Sequence, residues 1–258
     1  MRTREKFIIW AVLLSLGLWL LQLVPIHYRY WTIGLFSLGT YFACALLLRH
    51  TITWRHWLLF LPVCAIYSLV FGAFNFLLPG NLWSLIFLLA VFALGMYALL
   101  LMGNIFTISS QGRTIQLARA AHNILIYMSL VMSLLGVQTI FSFDFPYYLN
   151  FLAVLALHYP LILAINWSVN LDEKITMELT SLTFFSTLIL AETALILSFL
   201  SLENWHIALL IMSIFYLDTG ILQVFLNKQL QYRSQAVGEY TLLALFIVVL
   251  FVSFFPTK

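Results

Sequence analysis

Leu82-Trp-Ser-Leu-Ile-Phe-Leu-Leu-Ala-Val-Phe-Ala-Leu-Gly-Met-Tyr-Ala-Leu-Leu-Leu-Met102 decides the fold class. No side chain in this stretch is charged. At ~1.5 Å per residue, a helix of this length crosses the ~30 Å hydrocarbon layer of a bilayer. A backbone facing lipid must satisfy its hydrogen bonds within its own segment, so the stretch reads as a membrane-spanning helix. The same pattern recurs on both sides of it. Phe7 to Val24, Trp31 to Leu48 and Trp57 to Leu78 precede it. His122 to Phe141, Tyr147 to Trp167, Leu179 to Leu200, Trp205 to Leu226 and Tyr240 to Phe255 follow. The expectation is an all-α, polytopic helical membrane protein, with nine transmembrane helices in a single integral membrane domain over residues 1–258.

Composition agrees. The chain is 64% hydrophobic and 8% charged, against roughly 25% charged residues in soluble domains, which excludes a water-soluble fold. The net charge of +3 is spread over short loops with no basic stripe to track phosphates, so no nucleic acid is expected as a partner. Of the twelve Lys and Arg residues, nine spans leave only Arg29 and Lys258 on one side. Arg2, Arg4, Lys6, Arg49, Arg55, Arg113, Arg119, Lys174, Lys228 and Arg233 gather on the other. Cytoplasmic loops carry such an excess, so the N-terminus is expected inside, the C-terminus outside, and the protein in the cytoplasmic membrane. The first stretch follows Arg2, Arg4 and Lys6 as a signal peptide would. It is longer than a signal core and ends in Val24-Pro-Ile-His27 without small cleavage-site residues, so it reads as a retained helix.

Tyr28, Tyr30, Trp31, Trp54, Trp57, Trp83, Tyr147, Tyr148, Trp167 and Trp205 recur at the span ends as an interfacial belt. Cys44 and Cys64 fall inside spans and read as buried apolar thiols. Tight connections at Pro79-Gly-Asn81, Ser142 to Pro146 and Ser201 to Asn204 predict hairpins of spans three and four, five and six, and seven and eight. The longest connection, Gly103 to Ala121, holds no phosphate-binding glycine loop, so no nucleotide is expected. His50 and His56 lack carboxylate or thiolate neighbours, and no metal or cofactor is expected. The inner-face loops suit anionic lipid headgroups.

Arg113-Thr-Ile-Gln-Leu-Ala-Arg-Ala-Ala-His122 has helical periodicity. It is either an extension of span five or a short helix in the headgroup layer. With Gly103-Asn-Ile-Phe106, the opening Met1-Arg-Thr-Arg-Glu-Lys-Phe7, Pro25-Ile-His-Tyr-Arg-Tyr30 and Gly95-Met-Tyr-Ala-Leu-Leu-Leu101, it resembles an uncharacterised family of polytopic membrane proteins from candidate-phylum bacteria with reduced genomes. The resemblance implies a bacterial membrane protein and carries over no functional residues.

Three ionisable residues fall well inside the spans: His158, Glu192 and Asp218. A carboxylate at such depth costs about 2.5 to 3.5 kcal/mol on insertion scales, and no Lys or Arg lies level with these acids. Span seven presents a stripe of small residues, Thr180, Thr183, Thr187, Ala191, Ala194 and Ser198, with Glu192 on the opposite, apolar side. Asp218 lies beside Ile211, Ile214 and Leu222, away from a polar side formed by Ser213, Tyr216, Gly220 and Gln223. Three readings follow. The deep groups line a common cavity of a gradient-coupled carrier of a small solute or lipid-like molecule. Alternatively, each is capped by a neighbouring helix in a non-catalytic scaffold or assembly partner, where a second copy or another membrane protein would be the contact. The third is an enzyme on a lipid-linked substrate, with Asn104, Arg113, Arg119 and His122 in an inner-interface groove. No catalytic motif of the serine, zinc or redox kind occurs, and Asp218-Thr-Gly220 stands alone in an apolar helix, which weighs against catalysis.

Overall fold

Long apolar runs punctuated by Pro, Gly, Asn and charge give helices and nothing else among the described residues. The computed structural model describes residues 3–48, 54–78, 81–109, 115–170, 176–200 and 202–226. In chain order the helices are α1 (Thr3–Leu20), α2 (Arg29–Leu48), α3 (Trp54–Asn75), α4 (Leu82–Ser109), α5 (Ile115–Ser142), α6 (Tyr147–Asn170), α7 (Met177–Leu197) and α8 (Asn204–Leu226). Seven of them contain stretches long and apolar enough to cross a membrane, and α3 contributes a shorter apolar stretch, Leu59–Asn75. The chain is thus an all-helical, multi-pass membrane protein. The expected ninth span, Tyr240 to Phe255, lies outside the described residues.

Several boundaries differ from the sequence expectation. The segment before His122 belongs to α5, which starts at Ile115, so the extension reading of this stretch holds over the alternative of a separate surface helix. Likewise α4 runs on to Ser109. α3 and α6 pass through Pro62 and Pro160 without interruption. The first span reaches Leu23, its last turn tightened: α1 stops at Leu20 and one 3-10 turn, Leu21–Leu23, precedes Pro25, because the residue before a proline is pushed out of the helical region.

The chain divides into two compact units, residues 1–128 and 129–258. In the first, α2 packs closely on α3 and α1 on α4. Ser37, Thr40, Cys44 and Ala45 form the buried side of α2, and small residues let helix backbones approach. Ser37 Oγ donates to the Ala65 carbonyl at 2.8 Å. Cys44 and Cys64 are both buried as free thiols. Tyr67, Phe71 and Phe92 stack at the centre, with Tyr67 and Phe92 centroids 5.2 Å apart. The Tyr67 hydroxyl donates into the carbonyls of Val91 and Phe92 at 3.2 and 3.3 Å. It reaches them only because residue 95 has no side chain: a Cβ there would overlap the Tyr67 hydroxyl, and would meet its ring carbon Cζ at 2.7 Å. Near one end of this unit, Gln22 Nε2 donates to Asn75 Oδ1 at 2.9 Å, and the Arg29 guanidinium sits 4.6 Å over the Phe76 ring.

In the second unit α6 packs most closely on α7, and α8 packs on both. The small-residue stripe of α7 is the face it buries: Thr183, Ser186, Thr187, Ala191 and Ala194 are all buried. Of the expected hairpins, α3 with α4 and α7 with α8 do pack, and α5 is tied to α6 by a side-chain bond described below.

Gly95→Ala is expected to cost about 1–3 kcal/mol, as overpacked cores do, seen as a lower Tm in detergent. Removing the obstructing hydroxyl in Tyr67→Phe/Gly95→Ala should recover part of that loss. An unchanged Tm for the single variant would show that the ring does not sit against Gly95.

Candidate functional site

The polar residues buried in the second unit follow from its helix packing. Asn150, His158 and Asn166 occur at intervals of eight residues along α6 and all three are buried. Each meets a different neighbour. Asn150 Nδ2 donates to Ser198 Oγ and to the Phe145 carbonyl, both at 3.3 Å. Asn166 Nδ2 donates to Thr183 Oγ1 of α7 at 3.2 Å. His158 sits midway, about 16 Å along the helix from Tyr147.

His158 is fully buried. Its Nδ1 lies 2.9 Å from the Val154 carbonyl and its Nε2 lies 2.8 Å from Ser133 Oγ of α5. A carbonyl can only accept, so Nδ1 carries the proton, and in the neutral ring Nε2 accepts from the serine hydroxyl. The ring edge also meets Phe215 of α8, with centroids 5.3 Å apart. Both nitrogens are therefore engaged, and the imidazole joins α5, α6 and α8.

Asp218 lies about 12 Å from the Leu226 end of α8, half-buried on the side of the helix that carries Ile211, Phe215, Thr219 and Leu222 into the core. Ser186 Oγ donates to its Oδ1 at 3.1 Å. Its Oδ2 is buried and has no partner. Among the described residues of this unit, four other buried atoms share that condition: Ser129 Oγ, Gln138 Oε1, Asn150 Oδ1 and Asn166 Oδ1. Every one is an oxygen. A buried polar atom without a partner costs about 1–3 kcal/mol; the carboxyl and amide oxygens can only accept, whereas the Ser129 hydroxyl can also donate.

Glu192 does not join this group. It is exposed, pointing outward with Phe185, Ile189, Ile196 and Phe199, which are exposed as well. The reason is the small-residue stripe: once Thr183, Thr187, Ala191 and Ala194 are packed inward, the opposite side of α7 must face out. Its level differs too. Ser186, which holds Asp218, is about 9 Å along α7 from Glu192, roughly 120° around the helix. Reading Glu192 as a buried polar group is thus corrected, whereas His158 and Asp218 both lie on the inner side of the unit. Among the proposed groove residues, Asn104 and His122 are half-buried, Arg119 is exposed, and Arg113 lies outside the described residues.

Sequence reasoning missed Ser133, Asn150, Asn166 and Ser186. The eight-residue interval of Asn150, His158 and Asn166, a little over two helical turns, was the signal available for α6. Among the described residues no three His, Cys, Asp or Glu side chains gather as a metal-holding group. Comparison with family models, with curated proteins and with solved structures finds no match.

Ser133→Ala should lower stability by about 1–3 kcal/mol by stripping Nε2 of its donor. In a His158→Leu background the same change should cost much less. A double-mutant cycle on thermal or denaturant unfolding reads the difference, and a coupling energy near zero would mean that the two groups are not bonded.

Proposed function

We propose that the protein is a gradient-coupled carrier of a small solute or lipid-like molecule, with Asp218 as its coupling residue. The observation that carries this reading is the placement of Asp218: an acid inside the helical unit, one carboxyl oxygen held by Ser186 and the other buried and unsatisfied. Ionisable groups retained at such depth usually face an ion or substrate path, because leaving them there is costly. The unsatisfied oxygens of Asn150 and Asn166 extend the polar interior along α6. His158 braces this interior, with both ring nitrogens hydrogen-bonded. The reading places the chain in the cytoplasmic membrane of a bacterium as nine spans with the N-terminus inside. The ten-to-two division of Lys and Arg supports the orientation, and the resemblance noted above supports the bacterial setting.

A non-catalytic scaffold or assembly partner is the second reading, favoured by Glu192 on an exposed apolar face of α7. A carboxyl there would be relieved by contact with another membrane helix.

Proteoliposomes energised by an imposed ion gradient should accumulate a component of a small-molecule extract. Asp218→Asn should abolish the accumulation, and Glu192→Gln should leave it near wild type. Accumulation no greater than in protein-free liposomes would remove the carrier reading. For topology, a reporter fused after Lys258 is expected outside; an inside signal would contradict nine spans.

A further inference from the structure

The two sides of α7 meet different surroundings. Thr183, Ser186, Thr187, Ala191 and Ala194 are packed inward, against α6 above all. On the other side Phe185, Ile189, Ile196 and Phe199 are each more than half exposed, with Glu192 exposed among them. An apolar side open to lipid is ordinary for a membrane helix; a carboxyl set into it is not. Glu192 lies about 22 Å along α7 from Met177 and about 8 Å from Leu197. Side chains on a helix lean toward its N-terminus, so this one leans away from the nearer end and deeper into the span. Among the described residues its carboxyl has no hydrogen bond or ion pair, and the neighbouring Thr193 hydroxyl donates to the Ile189 carbonyl of its own helix at 2.8 Å.

We infer that this side of α7 is where a second copy of the protein docks, with the two α7 helices parallel and the two Glu192 carboxyls facing each other. Whatever covers the face must bring a group that bonds a carboxyl at the depth of Glu192. α7 carries no Lys or Arg, so a second α7 brings no cation. It brings the same carboxyl, and a carboxyl that carries its proton both donates and accepts. Two of them satisfy each other and leave no net charge in the hydrocarbon layer. The level is matched without adjustment. Copies inserted with one orientation are related by a two-fold axis along the membrane normal, which places each residue opposite its counterpart at the same depth. The spacing agrees. Phe185, Ile189, Glu192, Ile196 and Phe199 recur at alternating intervals of four and three residues, the repeat of left-handed helix pairs. One polar residue within an apolar seam fixes register and strand number in such pairs. Glu192 stands at the middle of its seam, with an Ile and a Phe on either side. A helix of another protein would have to supply a matching group at this one depth; a second copy already has it. The pairing goes beyond the carrier reading and does not rest on it.

The test places single cysteines in the full-length protein in native membranes and adds a mild oxidant. Phe185→Cys, Ile189→Cys and Ile196→Cys should give disulfide-linked dimers. Thr193→Cys and Leu195→Cys, off the seam, and Leu152→Cys, at an exposed position of α6, should stay monomeric. Single-molecule photobleaching in liposomes of falling protein density then reads the association itself. Glu192→Leu should weaken it by about tenfold. Glu192→Gln, whose amide also donates and accepts, should stay within a few-fold of wild type. Because the position is exposed, neither change burdens folding. Monomers at every density, or cross-links as strong at Leu152→Cys as on the seam, would overturn the inference. So would association untouched by Glu192→Leu. A photo-activated cross-linker at position 189 identifies the occupant. An adduct of two copies supports the pairing; an adduct within one chain, mapped to residues 240–255, or one to lipid or another protein alone, overturns it.

Discussion

Inside a bilayer, a hydrogen-bonding group that finds no partner in the protein does not find one in the solvent either. That constraint organises every element described here. It forces the chain into helices, because only a helix closes its own backbone bonds. It also makes each buried side-chain oxygen a question about what meets it. In residues 1–128 the answers are complete for the central groups. Tyr67 donates to two carbonyls of α4, and Asn75 both receives from Gln22 and donates to Leu18. Among the described residues of 129–258, five buried oxygens have no partner.

The two deep acids show how packing, rather than composition, assigns a role. Both occupy apolar sides of their helices. On α7 the opposing side is a run of Thr, Ser and Ala that lets α6 approach closely, so the large apolar residues, and Glu192 with them, are turned outward. On α8 the helix contacts are made by large residues such as Ile211, Phe215 and Leu222, and Asp218 is carried inward on their flank. The same local pattern yields an exposed carboxyl in one case and a half-buried one in the other. Which occurs depends on what the neighbouring helix needs for close contact.

The helices were legible in the sequence because hydrocarbon thickness fixes their length: the expected starts at Leu82 and Tyr147 are those observed. The stripe on α7 was legible because small residues at helical spacing have one physical use in a membrane. The site was only partly legible. His158 and Asp218 stand out as ionisable, but Asn150, Asn166, Ser133 and Ser186 are neutral and cost little to place, so nothing local distinguishes them from helix-capping or back-bonding polar residues. Their meaning comes from register between helices, which a single sequence does not carry. α4 runs past its expected end at Met102 to Ser109 for a simpler reason: hydropathy marks where lipid ends, and a helix stops where backbone geometry ends it.

His158 and Asp218 divide the labour within one unit. The imidazole is held at both nitrogens and at its ring edge; it behaves as a fixed brace. Asp218 is held at one oxygen only. Its other oxygen has no partner among the described residues, so it can take up a proton or a donor without releasing Ser186. Rigidity at one level of the helical unit and chemical freedom one turn away is a direct result of where Ser133 and Ser186 place their single hydrogens.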